Sequence, residues 1–386
     1  MDDNENESDV IRQVGVFDAH CHPTDIMASV KDIATMQARG LTIMSTRSQD
    51  QDMVENVARM YPIDSKQDFS EETSAKVIPA FGWHPWFSHQ MYDDRETNIQ
   101  PDPVEHYRSV LIPTPDDPEF LKTLPDPRSL SRFLEDTESK LREFPFALVG
   151  EVGLDRSFRL PQGPSTATKD MADKTGGPDE EYTPGSREGK PLTPYRVNMN
   201  HQKLILRAQL DLAARLGRPV SVHSVQTHGV IFELMQNMWK GHERPSKRGR
   251  KRRLNTPKAH AAGDEPIIDQ AECQKPLPFP PRVCMHSYSG PSEALQQFLN
   301  VNIPVDIYFS FSTAINFSNS PPSKVISAIK GVPDDRILIE SDLHCAGEMM
   351  DDLLKDIVLR VCEIKQWPLR EGAQRLKQNW MKFVFG

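Results

Sequence analysis

Eight short apolar or β-branched runs, separated by helical patterns, constrain the fold more than any other feature of the sequence. Buried strands that follow one another through helices form a parallel sheet, because a parallel connection needs a crossover. An open doubly wound sheet shows the same alternation, but a count of eight favours closure into a (β/α)₈ TIM barrel. The predicted strands are residues 14–20, 41–46, 77–81, 146–151, 219–223, 282–286, 305–312 and 336–342.

The segment 201–217 carries the helical pattern between two of these strands. Its apolar residues Leu206, Leu210, Ala213 and Leu216 fall on one stripe of a helix, and Gly217 supplies a stop. The sequence therefore predicts α/β alternation of the kind that a barrel requires.

Three stretches interrupt this pattern, and we expect them to be disordered insertions. Residues 93–127 are rich in Asp and Pro, residues 156–195 hold almost no large apolar side chains, and residues 240–281 combine a basic block with a proline-rich end. Such segments bury too little apolar surface to offset their chain entropy. The acidic residues 1–12 are expected to be disordered for the same reason. The remainder is close to the roughly 250 residues of one barrel, so residues 13–386 are predicted to form a single decorated domain.

Composition excludes several classes of protein. The net charge is −9 and only 37% of residues are hydrophobic, and no run approaches the roughly 18 apolar residues of a membrane span. The acidic N-terminus is unlike a signal peptide. Five cysteines without a CxxC spacing indicate neither a disulfide framework nor a structural zinc site, and a reducing compartment fits them best.

Polar residues that can bind metal stand where most of the predicted strands end. Because barrel active sites lie at the carboxyl ends of the strands, these side chains are expected to meet there. A single histidine at a strand end is commonly structural, but a buried carboxylate is costly unless it is paired or metal-bound. Four imidazoles and two carboxylates suit two divalent metals that share a bridging carboxylate, with Mg²⁺, Mn²⁺ and Zn²⁺ all admissible. The six residues are His20, His22, Glu151, His223, His286 and Asp342.

A nucleophilic serine is the alternative chemistry. Ser224, Ser287 and Ser341 each adjoin a proposed ligand, so a Ser–His nucleophile has to be considered. No serine has both a base and an orienting acid in the sequence pattern, and hydrogen bonding beside a ligand explains their position.

The ordered motifs resemble those of TatD-related metal-dependent deoxyribonucleases, in the wider group of amidohydrolase-like barrels. The resemblance covers essentially the whole core. The motifs are FDAHCHP (17–23), GWHPW (82–86), VGEVGLD (149–155), Gln202 with LRAQLDLAARLGRPVSVHS (206–224), MHSYSG (285–290), IYFSFS (307–312) and IESD (339–342).

This resemblance implies a role for each candidate residue. His20, His22 and Asp342 would hold one metal, His223 and His286 the other, and Glu151 would bridge the two. His84 would lie beside the pair and contact a substrate phosphate, and Asp342 would also orient the attacking water. Glu151, Asp342 and His84 are therefore the expected catalytic residues, and the expected reaction is hydrolysis of phosphodiester bonds in DNA or RNA.

The substrate-binding residues depart from the family pattern. Val225 stands where the family usually has an arginine after the VHS histidine, and Arg156 stands where an aromatic residue commonly follows GLD. After Asp342 the usual proline-containing loop is replaced by Leu343, His344 and Cys345. Metal binding is therefore better supported than a strong nuclease activity.

Two alternative functions remain open. Related barrels hydrolyse amides and cyclic amides of small molecules with similar ligands, although the GEVGLD and HSYSG motifs favour the nuclease. More loosely, the long insertions resemble a fungal branch of TatD-like proteins described as partners of a tetratricopeptide subunit of the anaphase-promoting complex. In that case the barrel would act as a protein-interaction scaffold with weakened catalysis.

Charge is distributed unevenly along the chain. Residues 240–258 hold nine basic residues and one acidic residue, so the rest of the chain is strongly acidic and a poor electrostatic partner for DNA without metal ions. The basic block at 247–253 is a candidate nuclear localisation signal, a nucleic-acid tether or simply a solvated loop. Nucleus and cytoplasm are the expected locations.

Overall fold

Eight parallel strands form the centre of the fold in the computed structural model, which describes residues 6–69, 75–97, 99–162, 183, 190–245, 276–318 and 320–386. The strands pair in chain order. Most of their residues are buried on both faces, which explains why they appear in the sequence as continuous apolar runs. The strands are β1 (Val16–Cys21), β2 (Ala38–Met44), β3 (Lys76–Phe81), β4 (Leu148–Asp155), β5 (Val220–Val225), β6 (Arg282–Met285), β7 (Asp306–Phe311) and β8 (Ile337–Ile339).

The first and last strands meet at their carboxyl ends. The backbone N–H of His22 donates to the carbonyl of Leu343 over 2.7 Å, and that of Asp342 donates to the carbonyl of His20 over 3.0 Å. The sheet therefore forms a nearly closed barrel, and each of the eight predicted runs overlaps one strand. The predicted (β/α)₈ TIM barrel is confirmed.

Helices lie around the outside of this barrel. The predicted helical stripe is confirmed in α6, where Leu206, Leu210 and Ala213 are buried and Gly217 ends the helix with a φ of 65°. Short 3₁₀ helices, Pro23–Asp25 and Pro85–Gln90, follow β1 and β3 at the carboxyl face. The α-helices are α1 (Glu7–Val14), α2 (Gln51–Met60), α3 (Pro103–Val110), α4 (Pro118–Thr123), α5 (Leu130–Glu143), α6 (Met199–Leu216), α7 (His228–Trp239), α8 (Ser292–Phe298), α9 (Pro322–Gly331), α10 (Glu348–Lys365) and α11 (Leu369–Phe385).

Side chains of several strands alternate between two apolar clusters. In β7, Ile307 and Phe309 join the large cluster beneath the helices, whereas Tyr308 joins a second cluster with strand residues and α11. Trp380 of α11 is part of this second cluster, and its indole N–H lies 3.2 Å from the hydroxyl of Thr42. The C-terminal helix is thus packed directly against the barrel strands.

The expectation of a disordered N-terminus is wrong for the described part of residues 1–12. Helix α1 begins after Asn6, whose side chain accepts a hydrogen bond from the N–H of Ser8. Val10, Ile11 and Val14 are buried and lie at helical spacing, and α1 packs against α11. An apolar stripe of three residues and an N-cap order this segment despite its acidic composition.

The expectation of disorder is also wrong for residues 93–127. The Asp and Pro residues there act as helix caps: Asp102 caps α3 with Pro103 at its first position, and Asp117 caps α4 with Pro118. These helices contribute to a small apolar core, which we call the insertion cluster. It consists of Tyr107, Val110, Leu111, Phe120, Leu121, Phe158, Leu160 and Val197.

The insertion cluster joins the first insertion to the ends of the second. Leu111–Ile112 pairs antiparallel with Arg196–Val197, and Pro161 forms a bridge with Leu192. Most of residues 156–195 and 240–281, including the basic block 247–253, lies outside the described residues, so the expectation of disorder there stays a prediction. No helix in the described part of the chain has the length and apolar character needed to cross a membrane.

Candidate functional site

The six predicted ligand residues meet at the carboxyl face of the barrel. His20, Glu151 and His223 lie in strands. His22 and His286 directly follow strands, and Asp342 lies three residues after the end of β8. The side chains form one connected set of contacts shorter than 4 Å, although they come from five strands distant in sequence. The predicted convergence is therefore observed. The supporting strands are β1 for His20 and His22, β4 for Glu151, β5 for His223, β6 for His286 and β8 for Asp342.

Glu151 lies at the centre of this set, and its two oxygens face different histidines. Oε2 lies 3.4 Å from Nε2 of His20 and 3.3 Å from Nε2 of His22. Oε1 lies 2.9 Å from Nδ1 of His223 and 2.8 Å from Nε2 of His286. A carboxylate with one group of nitrogen donors at each oxygen has the arrangement of a bridging ligand between two cations.

Asp342 lies on the side of the first histidine pair. Its Oδ1 is 3.5 Å from Nε2 of His22 and 3.9 Å from Nε2 of His20. Asp342 has a φ of 53° and Ser287, beside it, a φ of 40°, so two non-glycine residues adopt left-handed backbone at the site. Such conformations cost about 1–3 kcal/mol each and cluster at functional sites.

His84 makes a closer contact than the resemblance implied. Its Nε2 lies 3.1 Å from Oε1 of Glu151, within the same donor group as His223. Its Nδ1 accepts a hydrogen bond from the N–H of Trp86, at the start of the 3₁₀ helix Pro85–Gln90. This bond places the ring proton on Nε2, facing the centre of the site.

Two residues that sequence reasoning missed, Ser221 and Asp155, hold the far nitrogens of ligand histidines. Ser221 Oγ lies 2.9 Å from Nδ1 of His20. Asp155 Oδ2 lies 3.2 Å from Nε2 of His223. Partners of this kind fix the ring orientation and tautomer of metal-binding histidines. Glu340 lies beside a third ring, but its Oε1 is 3.6 Å from Nδ1 of His286 and does not form a hydrogen bond with it.

Asp155 is itself held by several groups at the end of β4. Its carboxylate accepts hydrogen bonds from the indole N–H of Trp86, over 2.6 Å, and from the N–H groups of Ser157 and Phe158. Gln202, a residue of the quoted motifs, bonds both the N–H and the carbonyl of Asp155. The far side of the His223 ring is therefore rigidly supported.

Burial and charge act in opposite directions on the titration of the site. Burial, reinforced by the neighbouring His286, lowers the pKa of His20, and burial lowers the pKa of His84 to about 4. Burial opposes a charge on His22 as well, but hydrogen bonds to Asp342 and Glu151 raise its pKa well above the usual value.

The pKa of Glu151 lies well below its usual value. Burial opposes this shift, but the surrounding imidazoles, His84 first, outweigh it. The ionised carboxylates of the site are therefore stabilised by nearby positive charge. Either protonated histidines or bound cations supply this charge.

The residues present fit divalent metal ions. Four overlapping groups of at least three His, Asp or Glu residues have ligand atoms within 4.8 Å of one another, and all the donors are imidazole nitrogens or carboxylate oxygens. Two buried atoms of the site, Nδ1 of His286 and Oε2 of Glu340, have no hydrogen-bond partner within the described part of the chain. Both atoms lie on the side of the His286 ring away from Glu151, so the fit to a metal rests on the clustered donors rather than on these two atoms.

The structure does not favour a serine nucleophile. The hydroxyl groups of Ser224, Ser287 and Ser341 bond other hydroxyl groups or carboxylates, and none bonds a histidine among the described residues. A general base for any of the three is therefore missing from the observed geometry.

A cavity of about 430 Å³ opens in front of Glu151. Trp86, Phe87, Val225 and Ile315 give it an apolar wall opposite the ligand residues. Val225, which replaces the usual family arginine, faces this cavity, so the departure seen in the sequence alters the substrate-binding surface itself.

Comparison with known proteins identifies the family of this chain. Residues 17–384 match the family model described as TatD related DNase. The chain is 37% identical over 372 residues to "Cut9-interacting protein scn1" of Schizosaccharomyces pombe, covering 96% of this chain and 98% of the relative. It is 25% identical to "Uncharacterized deoxyribonuclease YMR262W" of Saccharomyces cerevisiae, covering 96% and 99% of the two chains.

Solved structures show the same fold at low sequence identity. A hydrolase TatD family protein from Entamoeba histolytica aligns with a TM-score of 0.52 and 12% identity, over 96% of this chain and 98% of that one. An uncharacterized amidohydrolase from Saccharomyces cerevisiae gives 0.52 and 12% over 96% and 99%. With the family model matching nearly the whole length and a relative 37% identical, the chain belongs to the family of TatD-related DNases.

Proposed function

We propose that the protein is a metal-dependent phosphodiester hydrolase of the TatD deoxyribonuclease type, acting on DNA with two divalent metal ions, Mg²⁺, Mn²⁺ or Zn²⁺. The observation that carries this proposal is the position of Glu151. One of its oxygens faces His20 and His22, and the other faces His223 and His286. A site for a single ion would not need nitrogen donors at both oxygens.

The proposed ligands divide between the two ions. His20, His22 and Asp342 would hold one ion and His223 and His286 the other, with Glu151 between them. When bound, two such ions lower the pKa of a water molecule and stabilise the charge that develops on the phosphoryl oxygens. The ligand histidines must be neutral to bind, so metal affinity falls at acid pH.

The remaining groups position the substrate and water. His84 is neutral at pH 7, because burial lowers its pKa to about 4, and its Nε2–H donates a hydrogen bond toward the centre of the site. We assign this donor to a phosphoryl oxygen of the substrate. Asp342 Oδ2 lies 3.3 Å from the hydroxyl of Ser287, which fixes the carboxylate so that it accepts a hydrogen bond from the attacking water.

The test combines metal analysis with a nuclease assay. Release of nucleotides from single-stranded and duplex DNA is measured with each metal in turn, and bound metal is counted by mass spectrometry. The Glu151→Gln variant keeps the size of the side chain but loses the charge between the ions, so we expect less bound metal and a rate at least about a hundredfold lower. Glu233→Gln, on the exposed surface of α7, is the matched control. Equal rates for wild type and Glu151→Gln would rule out the proposed nuclease.

A protein-interaction scaffold is the second candidate. It is favoured by the relative at 37% identity, whose name describes an interaction with Cut9 rather than a reaction. The partner implied by this resemblance is a tetratricopeptide subunit of the anaphase-promoting complex. A metal-loaded wild type that releases no nucleotides but binds the purified subunit, with equal affinity in Glu151→Gln, would favour the scaffold over the nuclease.

Nucleus and cytoplasm remain the proposed locations. The support is the sequence of the basic block 247–253 alone. A fluorescent fusion in which these six basic residues are replaced by glutamine should leave the nucleus, and an unchanged distribution would contradict the proposal.

A further inference from the structure

Apart from the metal centre and its histidines, the positive charge available to a substrate in the cavity comes from one side chain. Among the described residues that line the cavity, Arg47 is the one lysine or arginine, whereas Asp25, Glu151 and Asp342 are acidic. A phosphodiester substrate with a second phosphate next to the scissile one needs a cation for that phosphate beyond the metal centre. Arg47 lines the cavity, but its side chain is only 4% exposed in the free protein, so it can supply this cation only after a neighbouring group has moved.

Arg47 is held in position before any ligand binds. It follows β2, and the carboxylate of Asp50 accepts hydrogen bonds from the backbone N–H groups of Thr46 and Arg47. The guanidinium lies 5.6 Å from the ring centroid of Phe87, which also lines the cavity. A pre-positioned guanidinium loses little side-chain entropy when it binds an oxyanion.

Asp25 occupies the binding face of this guanidinium. Its Oδ1 accepts a hydrogen bond of 2.7 Å from Nη2 of Arg47. Asp50 also pairs with Arg47, its Oδ2 lying 3.3 Å from Nη1, but it is 1% exposed and is held by the backbone N–H groups of the turn. The side chain of Asp25 is 24% exposed and faces the cavity, so it has room to move away.

We propose that Arg47 binds a non-scissile phosphate of the substrate, and that Asp25 occupies the same position in the free protein as an internal competitor. A carboxylate and a phosphate offer equivalent oxygen acceptors to one guanidinium, so the two exchange without leaving it unpaired. The inference rests on the proposed phosphodiester hydrolase and names the residue that recognises the rest of its substrate. Because Val225 stands in place of the usual arginine, the end of β5 carries no lysine or arginine. Arg47 provides a cation after the end of β2 instead.

The test compares two ligands that differ by one phosphate. Binding of thymidine 3′,5′-bisphosphate and thymidine 5′-monophosphate to the metal-loaded full-length protein is measured by calorimetry. Wild type should prefer the bisphosphate by about tenfold, the size expected for one charged hydrogen bond. Arg47→Gln should abolish this preference, and Asp25→Asn should increase it several-fold because the competing charge is removed.

Arg59→Gln in α2, half exposed and paired with Glu55, is the matched control and should keep the wild-type preference. Circular dichroism and thermal unfolding establish that each variant is folded. If Arg47→Gln does not fold, Asp25→Asn still tests the proposal. If Asp25 and Arg47 formed a purely structural ion pair, the Asp25→Asn variant would show no increased preference for the bisphosphate. The same preference in wild type and Asp25→Asn, or none in wild type, would overturn the inference. If the wild type prefers the bisphosphate but releases no nucleotides from DNA, the proposed nuclease function is refuted. The proposed phosphate site at Arg47 is then still supported.

Discussion

His201 provides a sharp test of how burial controls the stability of this protein. Its Nε2 donates to the carbonyl of Ser88 over 2.9 Å, which ties α6 to the 3₁₀ helix Pro85–Gln90 that follows His84. His106 of α3 donates in the same way to the carbonyl of His89. Burial lowers the pKa of His201 to about 4, and the charge of His106 contributes in the same direction, against the hydrogen bond to Ser88.

The size of the effect follows from the two pKa values. In the unfolded chain His201 takes up a proton near pH 6.5, whereas in the folded protein it does so only near pH 4. Between these values the unfolded state binds more protons, so the free energy of unfolding rises with pH in this window. The contribution is fully present above pH 6.5 and is lost as the pH falls toward 4. A shift of about 2.5 units corresponds to roughly 3 kcal/mol.

Urea unfolding of the chelator-treated protein, followed by tryptophan fluorescence between pH 4 and 7.5, measures this loss. In His201→Gln the hydrogen bond to Ser88 can be kept, but the titrating group is gone. The free energy of unfolding of the variant relative to wild type should therefore rise by roughly 3 kcal/mol as the pH falls from 7.5 to 4. His242→Gln, at an exposed position, is the matched control for the loss of one histidine. Parallel curves for wild type and His201→Gln would refute the reasoning.

Three further outcomes are expected. Gly153→Ala should lower the free energy of unfolding in urea by more than about 3 kcal/mol. Gly153 has a φ of 155°, and a Cβ at this position would lie 2.1 Å from the carbonyl oxygen of His223. A loss below about 1 kcal/mol would contradict this close approach. Replacing both His20 and His22 by alanine should remove at least one bound ion per chain by mass spectrometry, and an unchanged metal content would exclude β1 from the site. Ile11→Ala should cost about 2–5 kcal/mol of unfolding free energy if α1 packs as described, whereas a disordered N-terminus predicts no change.

The strands were predictable because burial on both faces leaves continuous apolar runs in the sequence. The convergence of His20 with Glu151 was predictable for a related reason, since barrel topology brings the carboxyl ends of strands to one face. Helix α1 was missed although Val10, Ile11 and Val14 lie at helical spacing, because the acidic composition outweighed a short stripe.

Other features depend on information that composition does not contain. Asp102 and Asp117 are counted as disorder-promoting residues, but each is followed by proline and caps a helix whose apolar partners lie in another insertion. Asp155 and Glu340 also lie inside recognised motifs. Which carboxylate binds a metal and which one orients a ring is set by distances between strands, and these distances appear only in the folded protein.

The stacking of Trp86 on Phe158 links the metal site to the insertion cluster, although the two residues lie far apart in the sequence. The ring centroids lie 5.0 Å apart, and Trp86 packs against the insertion cluster, to which Phe158 belongs. The same indole donates a hydrogen bond to Asp155, which holds the ring of His223. If a macromolecule bound the insertion cluster and moved the indole of Trp86, it would change the affinity of the His223 site for metal. By thermodynamic reciprocity, metal would change the affinity for that macromolecule by the same factor. Removal of the metal by a chelator would then alter the binding of such a macromolecule without any contact between it and the metal ligands.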